Sequence, residues 1–243
     1  MTKNEVCVLI RAIGIVPAIR VSSPDDAHFA AEAVEDGGIP IVEITTTVPR
    51  AFDVISHLVR HHPKMVVGAG SVVDTQTAQC CVDAGASFLT APGFDIEIVQ
   101  FAATRGIAVL PGAMTPTEVV TAWKAGSDFV KVFPCGGIGG HTHIKALHTS
   151  LPQVSMIAAG GVNQQTAADY IVSGATAIGV GAELIPTEAI QRRQANRIQE
   201  LAQRFTRFVK EGRERVAAWQ QSMGVQTFEE TQKCEELSPR RGR

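Results

Sequence analysis

A lysine stands inside the apolar segment DFVKVFP at residues 128–134. Because side chains alternate along a strand, Lys131 shares one face with Phe129 and Phe133, and the two valines lie on the other. Inside a barrel this amine would be partly desolvated, which favours the neutral form that attacks carbonyl carbon. A lysine that reaches solvent from the strand end, or that pairs with a carboxylate, is the alternative.

A glutamate occupies a similar position in the apolar segment IVEITTT at residues 41–47. Alternation places Glu43 on one face with Thr45 and Thr47. A buried carboxylate without a partner is costly. We therefore expect Glu43 to share an interior with Lys131, either as a general acid and base or as the partner in a purely structural ion pair.

Two further features could bind the anionic ends of a substrate. Arg20 follows Ala18 on one strand face, where a guanidinium could hold a carboxylate through two hydrogen bonds or could simply lie in solvent. Glycine-rich turns at 158–163 and 179–182 would expose backbone amides, which form the usual phosphate site of a barrel. Ordinary tight turns need glycine as well.

Metal and thiol chemistry are the weaker interpretations. His141 and His143 form a short pair, but no third ligand follows at the spacing of a metal site. Cys135 is close to Lys131 and is interpreted as a packing residue rather than as a reactive thiol. We predict neither a metal nor a cofactor.

Regularly spaced apolar runs, helix caps and glycines indicate the strands and helices that must position these residues. Eight short apolar runs are strand candidates: 15–20, 40–45, 65–69, 87–91, 107–111, 128–134, 154–159 and 176–181. Glycines end the helical segments between them, at Gly37, Gly85, Gly106, Gly126 and Gly174. Helix starts are predicted at Ser23, Asp74, Thr115 and Asn163. Eight βα units predict an α/β fold of the (β/α)8 TIM-barrel type. An open doubly wound sheet is the alternative, but neither GxGxxG nor GxxxxGK[ST] occurs to favour it.

Segments outside the repeats complete the predicted architecture. Residues 4–12 predict a short N-terminal helix that caps the bottom of the barrel, and residues from 186 to about 223 predict an extended C-terminal helix. We expect one domain, 1–222, followed by a polar and mobile tail, 223–243, which has no apolar period.

Composition excludes several classes of function. The net charge of −2 and the 5% of aromatic residues offer no general attraction to nucleic acid or anionic membranes. No apolar run is long enough to span a membrane. Five cysteines without a CxxC pair argue against a secreted disulfide framework, so we expect a soluble, cytoplasmic protein.

Several motifs occur in a fixed order along the chain. They are Val42-Glu43-Ile44-Thr45, Val67-Gly68-Ala69-Gly70-Ser71-Val72, Ala91-Pro92-Gly93, Leu110-Pro111-Gly112, Thr115-Pro116-Thr117-Glu118, Lys131-Val132-Phe133-Pro134 and Ala159-Gly160-Gly161-Val162. With them, residues 15–186 resemble the 2-keto-3-deoxy-6-phosphogluconate / 4-hydroxy-2-oxoglutarate aldolases.

The resemblance implies a homotrimer of barrels and assigns roles to individual residues. Lys131 would form the Schiff base, and Glu43 would shuttle protons. Ser71 stands where the family usually has threonine and would contact the substrate carboxylate. Pro92 and Phe133 would line the pyruvate pocket. The glycines Gly160 and Gly161 would hold the distal phosphate.

This sequence departs from the family at three places. Thr47 stands where many members have an arginine, and members that lack this arginine have one at the position of Arg20, to which we transfer the carboxylate-binding role. In the turn after the eighth strand, Gly181 is followed by Ala182 where the family has a phosphate-binding serine. The loop 135–143 is longer and richer in glycine than in many members.

These features together predict a class I aldolase that cleaves 2-keto-3-deoxy-6-phosphogluconate to pyruvate and glyceraldehyde 3-phosphate, 4-hydroxy-2-oxoglutarate to pyruvate and glyoxylate, or both. An aldolase for a related acid, such as 2-keto-3-deoxy-6-phosphogalactonate, is the alternative. A barrel that binds sugar acids without catalysis is an alternative of another class. The expected partner is a small keto acid.

Overall fold

The computed structural model describes residues 1–223. The predicted tail, 223–243, lies outside this range except for Met223. The strands are β1 (Ile15–Ile19), β2 (Ile41–Thr45), β3 (Val66–Gly70), β4 (Phe88–Thr90), β5 (Ala108–Leu110), β6 (Gly112–Ala113), β7 (Val130–Val132), β8 (Met156–Ala159) and β9 (Ala177–Val180). The helices are α1 (Lys3–Ile13), α2 (Pro24–Asp36), α3 (Ala51–His61), α4 (Thr75–Asp83), α5 (Ile96–Arg105), α6 (Pro116–Lys124), α7 (His141–Ser150), α8 (Ala167–Val172), α9 (Thr187–Gln191) and α10 (Ala195–Met223).

All strand pairs are parallel, in the order β5-β4-β3-β2-β1-β9-β8-β7-β6. The two outer strands, β5 and β6, are separated only by Pro111, which has no N–H to donate to a ladder. The chain changes partner at this proline, because β5 pairs with β4 and β6 pairs with β7. The predicted fifth run, 107–111, therefore contains β5 only, β6 follows beyond its end, and the eight predicted runs form the barrel.

Local residue choices explain where the helices begin and end. The side chains of Ser23, Asp74 and Thr115 accept the first backbone N–H groups of α2, α4 and α6. Asn163 does not cap α8, because its side chain holds a turn that precedes Ala167. The glycine with positive φ that follows α2 is Gly38 (φ 92°), one residue later than the predicted Gly37. Gly37 itself keeps a helical backbone.

The first helix covers the amino-terminal side of the barrel, and the last helix holds its end. Lys3 pairs with Asp128 at 2.9 Å, and the guanidinium of Arg11 lies 4.6 Å from the centre of the Phe129 ring, so α1 lies below β7. Arg213 on α10 donates to the backbone oxygens at the end of α1. The lower end is therefore closed, and an open site must lie at the opposite, carboxyl-terminal ends of the strands.

No helix within residues 1–223 is both long enough and apolar enough to cross a membrane.

Candidate active site

A cavity of about 460 Å³ opens at the carboxyl ends of the strands, where barrel enzymes hold their active sites. Three charged side chains line it: Arg20, Glu43 and Lys131. Hydroxyl groups come from Ser71, Thr90 and Thr187, and most of the remaining wall is aliphatic or glycine. Strand alternation predicted that Lys131 and Glu43 face the interior, and their positions confirm it, whereas Arg20 follows β1 and is exposed at the rim of the cavity.

Lys131 projects into the cavity from β7. The valines on either side of it are at most 1% exposed and face the helices, whereas the lysine side chain is 13% exposed. Its Nζ lies 3.5 Å from Glu43 Oε2 and 3.2 Å from Thr90 Oγ1. The Phe133 ring lies 5.4 Å from the same nitrogen, so the amine has an aromatic wall on one side.

Glu43 reaches the amine because the neighbouring strand leaves room for it. Its side chain is only 5% exposed, and it runs alongside Gly70 of β3. A Cβ on Gly70 would overlap Glu43 Oε1. A buried carboxylate at this distance from an amine can exchange protons with it or form a structural ion pair.

Arg20 and Ser71 meet at the rim of the cavity. Arg20 Nη2 lies 3.3 Å from Ser71 Oγ, which places a guanidinium and a hydroxyl side by side. Ser71 has the left-handed backbone with φ 60°, which costs about 1–2 kcal/mol for a residue other than glycine. Thr46 Oγ1 donates to the Ser71 carbonyl at 3.0 Å and helps to hold this conformation. Backbone strain of this kind is concentrated at ligand sites.

The remaining predicted site residues divide into two groups. Those that line the cavity are Pro92, Phe133, Gly160, Gly181 and Ala182. Two do not line it. Thr47 is exposed and its hydroxyl contacts that of Thr45 at 2.9 Å, and Gly161 packs against Gly136. The substrate-binding roles of both groups stay predictions.

Thr90 and Thr187 line the cavity although neither was among the predicted site residues. Thr90 is the last residue of β4 and is 1% exposed. It could have been found, because alternation from Pro92 points it inward and it is polar at a strand end. Thr187 begins α9, and no pattern in the sequence marks it.

The two histidines of the first turn of α7 contact different neighbours. His143 Nε2 contacts the Met114 carbonyl oxygen at 2.8 Å, and the His141 ring stands edge-on to Tyr170. Within the part of the chain that the structure describes, no group of three or more histidine, cysteine or acidic residues could hold a metal ion.

Cys135 supports the glycine turn from behind the cavity. Its Sγ contacts the Gly160 oxygen at 3.4 Å and Tyr170 Oη at 3.3 Å, and burial raises the pKa of the thiol. Because the thiolate is the reactive form, we expect iodoacetamide to label Cys135 far more slowly than the exposed Cys80. Peptide mapping after timed alkylation measures both rates, and equal labelling would contradict this packing role.

The chain matches the family model described as "Aldolase: KDPG and KHG aldolase" over residues 6–201. The 2-dehydro-3-deoxy-phosphogluconate aldolase of Pseudomonas aeruginosa is 31% identical over 185 residues, which cover 76% of this chain and 84% of that protein. The 2-dehydro-3-deoxy-6-phosphogalactonate aldolase of Escherichia coli is 31% identical over 204 residues, which cover 83% of this chain and 96% of that protein.

A solved structure agrees with these relatives. The KDPG aldolase from Legionella pneumophila, with pyruvate captured as a covalent carbinolamine intermediate, matches with a TM-score of 0.76 and 29% identity. The match covers 81% of this chain and 96% of that one. With the family model spanning most of the chain, this protein belongs to the KDPG and KHG aldolase family and is a lyase.

Proposed function

We propose that the protein is a class I aldolase that cleaves a 2-keto-4-hydroxy acid to pyruvate and an aldehyde through a Schiff base on Lys131. The observation that carries the proposal is the approach of Lys131 Nζ to Glu43 Oε2, at 3.5 Å inside the cavity. A carbonyl carbon placed beside this nitrogen would have both a nucleophile and a proton-transfer group in reach.

The reaction follows from these two groups. Neutral Lys131 attacks the C2 carbonyl to form a carbinolamine, and Glu43 supplies the proton with which the hydroxyl leaves as water. The protonated imine then withdraws electrons as the C3–C4 bond breaks, and the C4 hydroxyl gives its proton to the Glu43 carboxylate. The aldehyde departs, C3 of the enamine takes up a proton from Glu43, and water releases pyruvate and the free amine.

Arg20 and Ser71 are suited to the carboxylate of the substrate. The guanidinium presents paired N–H donors that match a carboxylate, and the serine hydroxyl lies 3.3 Å away. We assign them to the carboxylate adjoining C2. In this assignment, Arg20 takes the role that the family resemblance gives to an arginine at the position of Thr47.

The cavity lining after β8 and β9 bears on the choice of keto acid. Gly160, Gly181, Ala182 and Thr187 belong to it, and Ala182 offers no hydroxyl to a phosphate. The relatives carry names for both phosphogluconate and phosphogalactonate substrates. We propose 2-keto-3-deoxy-6-phosphogluconate and 4-hydroxy-2-oxoglutarate as substrates, with 2-keto-3-deoxy-6-phosphogalactonate as the second candidate.

A coupled assay of pyruvate release tests this function. We expect at least one of these three acids to be cleaved, at the same rate with and without a chelator, because the imine itself is the electron sink. The unphosphorylated analogue of each sugar acid is the matched control for the phosphate contribution. Cleavage that a chelator abolishes and a divalent metal restores would contradict the Schiff-base reaction.

We also propose that the protein is a homotrimer in the cytoplasm. The family resemblance supports a homotrimer, and the cysteine content and the metabolic relatives support the cytoplasm. Light scattering of the purified protein tests the trimer.

A further inference from the structure

Thr90 holds a buried hydroxyl directly beside the amine of Lys131. It ends β4 and is 1% exposed, with its side chain in the cavity wall. Its Oγ1 lies 3.2 Å from Lys131 Nζ, which is shorter than the 3.5 Å between that nitrogen and Glu43. Within residues 1–223, these two oxygens are the side-chain hydrogen-bond acceptors of the amine.

A second buried threonine shows what a structural hydroxyl looks like in this barrel. Thr45 ends the nearby strand β2 and is 0% exposed. Its hydroxyl donates to the Ile19 carbonyl at 3.0 Å and contacts Thr47, so it joins backbone and side chain of neighbouring strands. The Thr90 hydroxyl makes no other hydrogen bond in the described part of the chain. Its one partner is the atom that reacts.

We propose that Thr90 is a third catalytic residue, whose hydroxyl accepts the N–H of the Lys131 imine and keeps that imine protonated. This inference rests on the proposed Schiff-base function. A ketimine on Lys131 retains a single N–H when it is protonated, and only this cationic form draws the electron pair of the breaking C3–C4 bond. A threonine hydroxyl accepts that N–H without removing the proton, because it is not basic.

The two groups that accept hydrogen bonds from the amine, Glu43 and Thr90, then have different roles. Glu43 exchanges protons as the carbinolamine forms and loses water, and it is the one titratable group within hydrogen-bond reach of Lys131 among the residues described. Arg20 is the other charged group that lines the cavity. Thr90 supplies a neutral acceptor on the same nitrogen, so the imine keeps a hydrogen bond while Glu43 changes its protonation state.

Thr90→Val removes the hydroxyl with little change in shape. Because the lost hydrogen bond is made to a charged group, we expect kcat for the keto acid to fall about 10- to 100-fold, with little change in KM. The unstabilised imine should also lose its proton more readily, so the alkaline limb of the kcat–pH profile should move to lower pH. Trapping of the pyruvate imine by cyanoborohydride, which reduces the protonated imine, should slow in parallel.

Two controls separate this role from a structural one. Thr90→Ser keeps a hydroxyl and should restore kcat, the alkaline limb and the trapping rate toward the wild-type values. Thr45→Val removes a buried hydroxyl from a nearby strand and should lower the melting temperature while leaving the alkaline limb in place. If Thr90→Val does not fold, Thr90→Ala against Thr90→Ser makes the same comparison.

A folded Thr90→Val or Thr90→Ala variant with the kcat, pH profile and trapping rate of the wild type would overturn the assignment of Thr90 and leave the proposed function standing. If the wild-type protein traps no pyruvate on Lys131, the proposed function fails, and the role of Thr90 fails with it.

Discussion

Replacement of Lys131 by arginine is expected to abolish turnover while the protein stays folded. The guanidinium keeps the positive charge beside Glu43, which lies 3.5 Å from the native amine, but it does not lose a proton and is not a nucleophile. Losing the covalent route should lower kcat about 10⁴-fold or more. The coupled assay of pyruvate release measures the loss, and thermal unfolding followed by circular dichroism shows that the fold persists.

Lys131→Ala serves as the comparison variant. It should be equally inactive, but it leaves the buried Glu43 carboxylate without its partner, which costs about 3–5 kcal/mol in the free energy of unfolding. The arginine variant should avoid most of that cost. Turnover retained by either folded variant would remove Lys131 from the chemistry.

Replacement of Glu43 by glutamine is expected to give the second-largest loss. The amide fills the same space beside Gly70 but cannot exchange protons with the amine or with the leaving water. We expect kcat to fall about 10²- to 10⁴-fold, the range for a general acid–base group. The Schiff base with pyruvate should still form in this variant, more slowly, because Lys131 is intact.

Gly70→Ala provides a control that leaves the catalytic residues unchanged. The added methyl group would overlap Glu43 Oε1, so the carboxylate must leave its present position beside Lys131. We expect a loss of kcat in the same direction as for Glu43→Gln. If Glu43→Gln turned over at the wild-type rate, Glu43 would have only the structural role that its burial also allows.

The apolar runs and the residues that begin or end helices predicted most of the fold, because both signals are local in the sequence. Apolar runs and helix-stopping glycines depend on a few neighbouring residues, and they predicted the eight units of the barrel. The break at Pro111 was not predicted, because it depends on which strand each half pairs with. The shift from Gly37 to Gly38 has a similar cause, since either of two adjacent glycines can adopt positive φ.

The site was predictable where a charge stood in an apolar strand. Lys131 and Glu43 each conflict with their surroundings unless they face a cavity, whereas Arg20 follows β1 and could equally have lain in solvent. Thr90 was not predicted as a site residue, because a threonine fits a strand without any such conflict. Its importance is visible only when β4 and β7 bring its hydroxyl to 3.2 Å from the lysine.

Thr47 shows the limit of alternation at a strand end. It was placed on the face of Glu43, but β2 ends at Thr45 and the chain turns there. Thr47 is consequently exposed, and its hydroxyl bonds back to Thr45 instead of reaching the cavity. Strand alternation therefore failed for Thr47, which lies two residues past the end of its strand in a turn.

The most direct test of the central claim is reduction with borohydride in the presence of pyruvate, followed by peptide mapping. A Schiff base predicts one stable pyruvate adduct per chain, on the peptide that contains Lys131, formed only when both pyruvate and borohydride are present and absent from Lys131→Arg. An intact, folded protein that cleaves the keto acid without any such adduct would contradict the account.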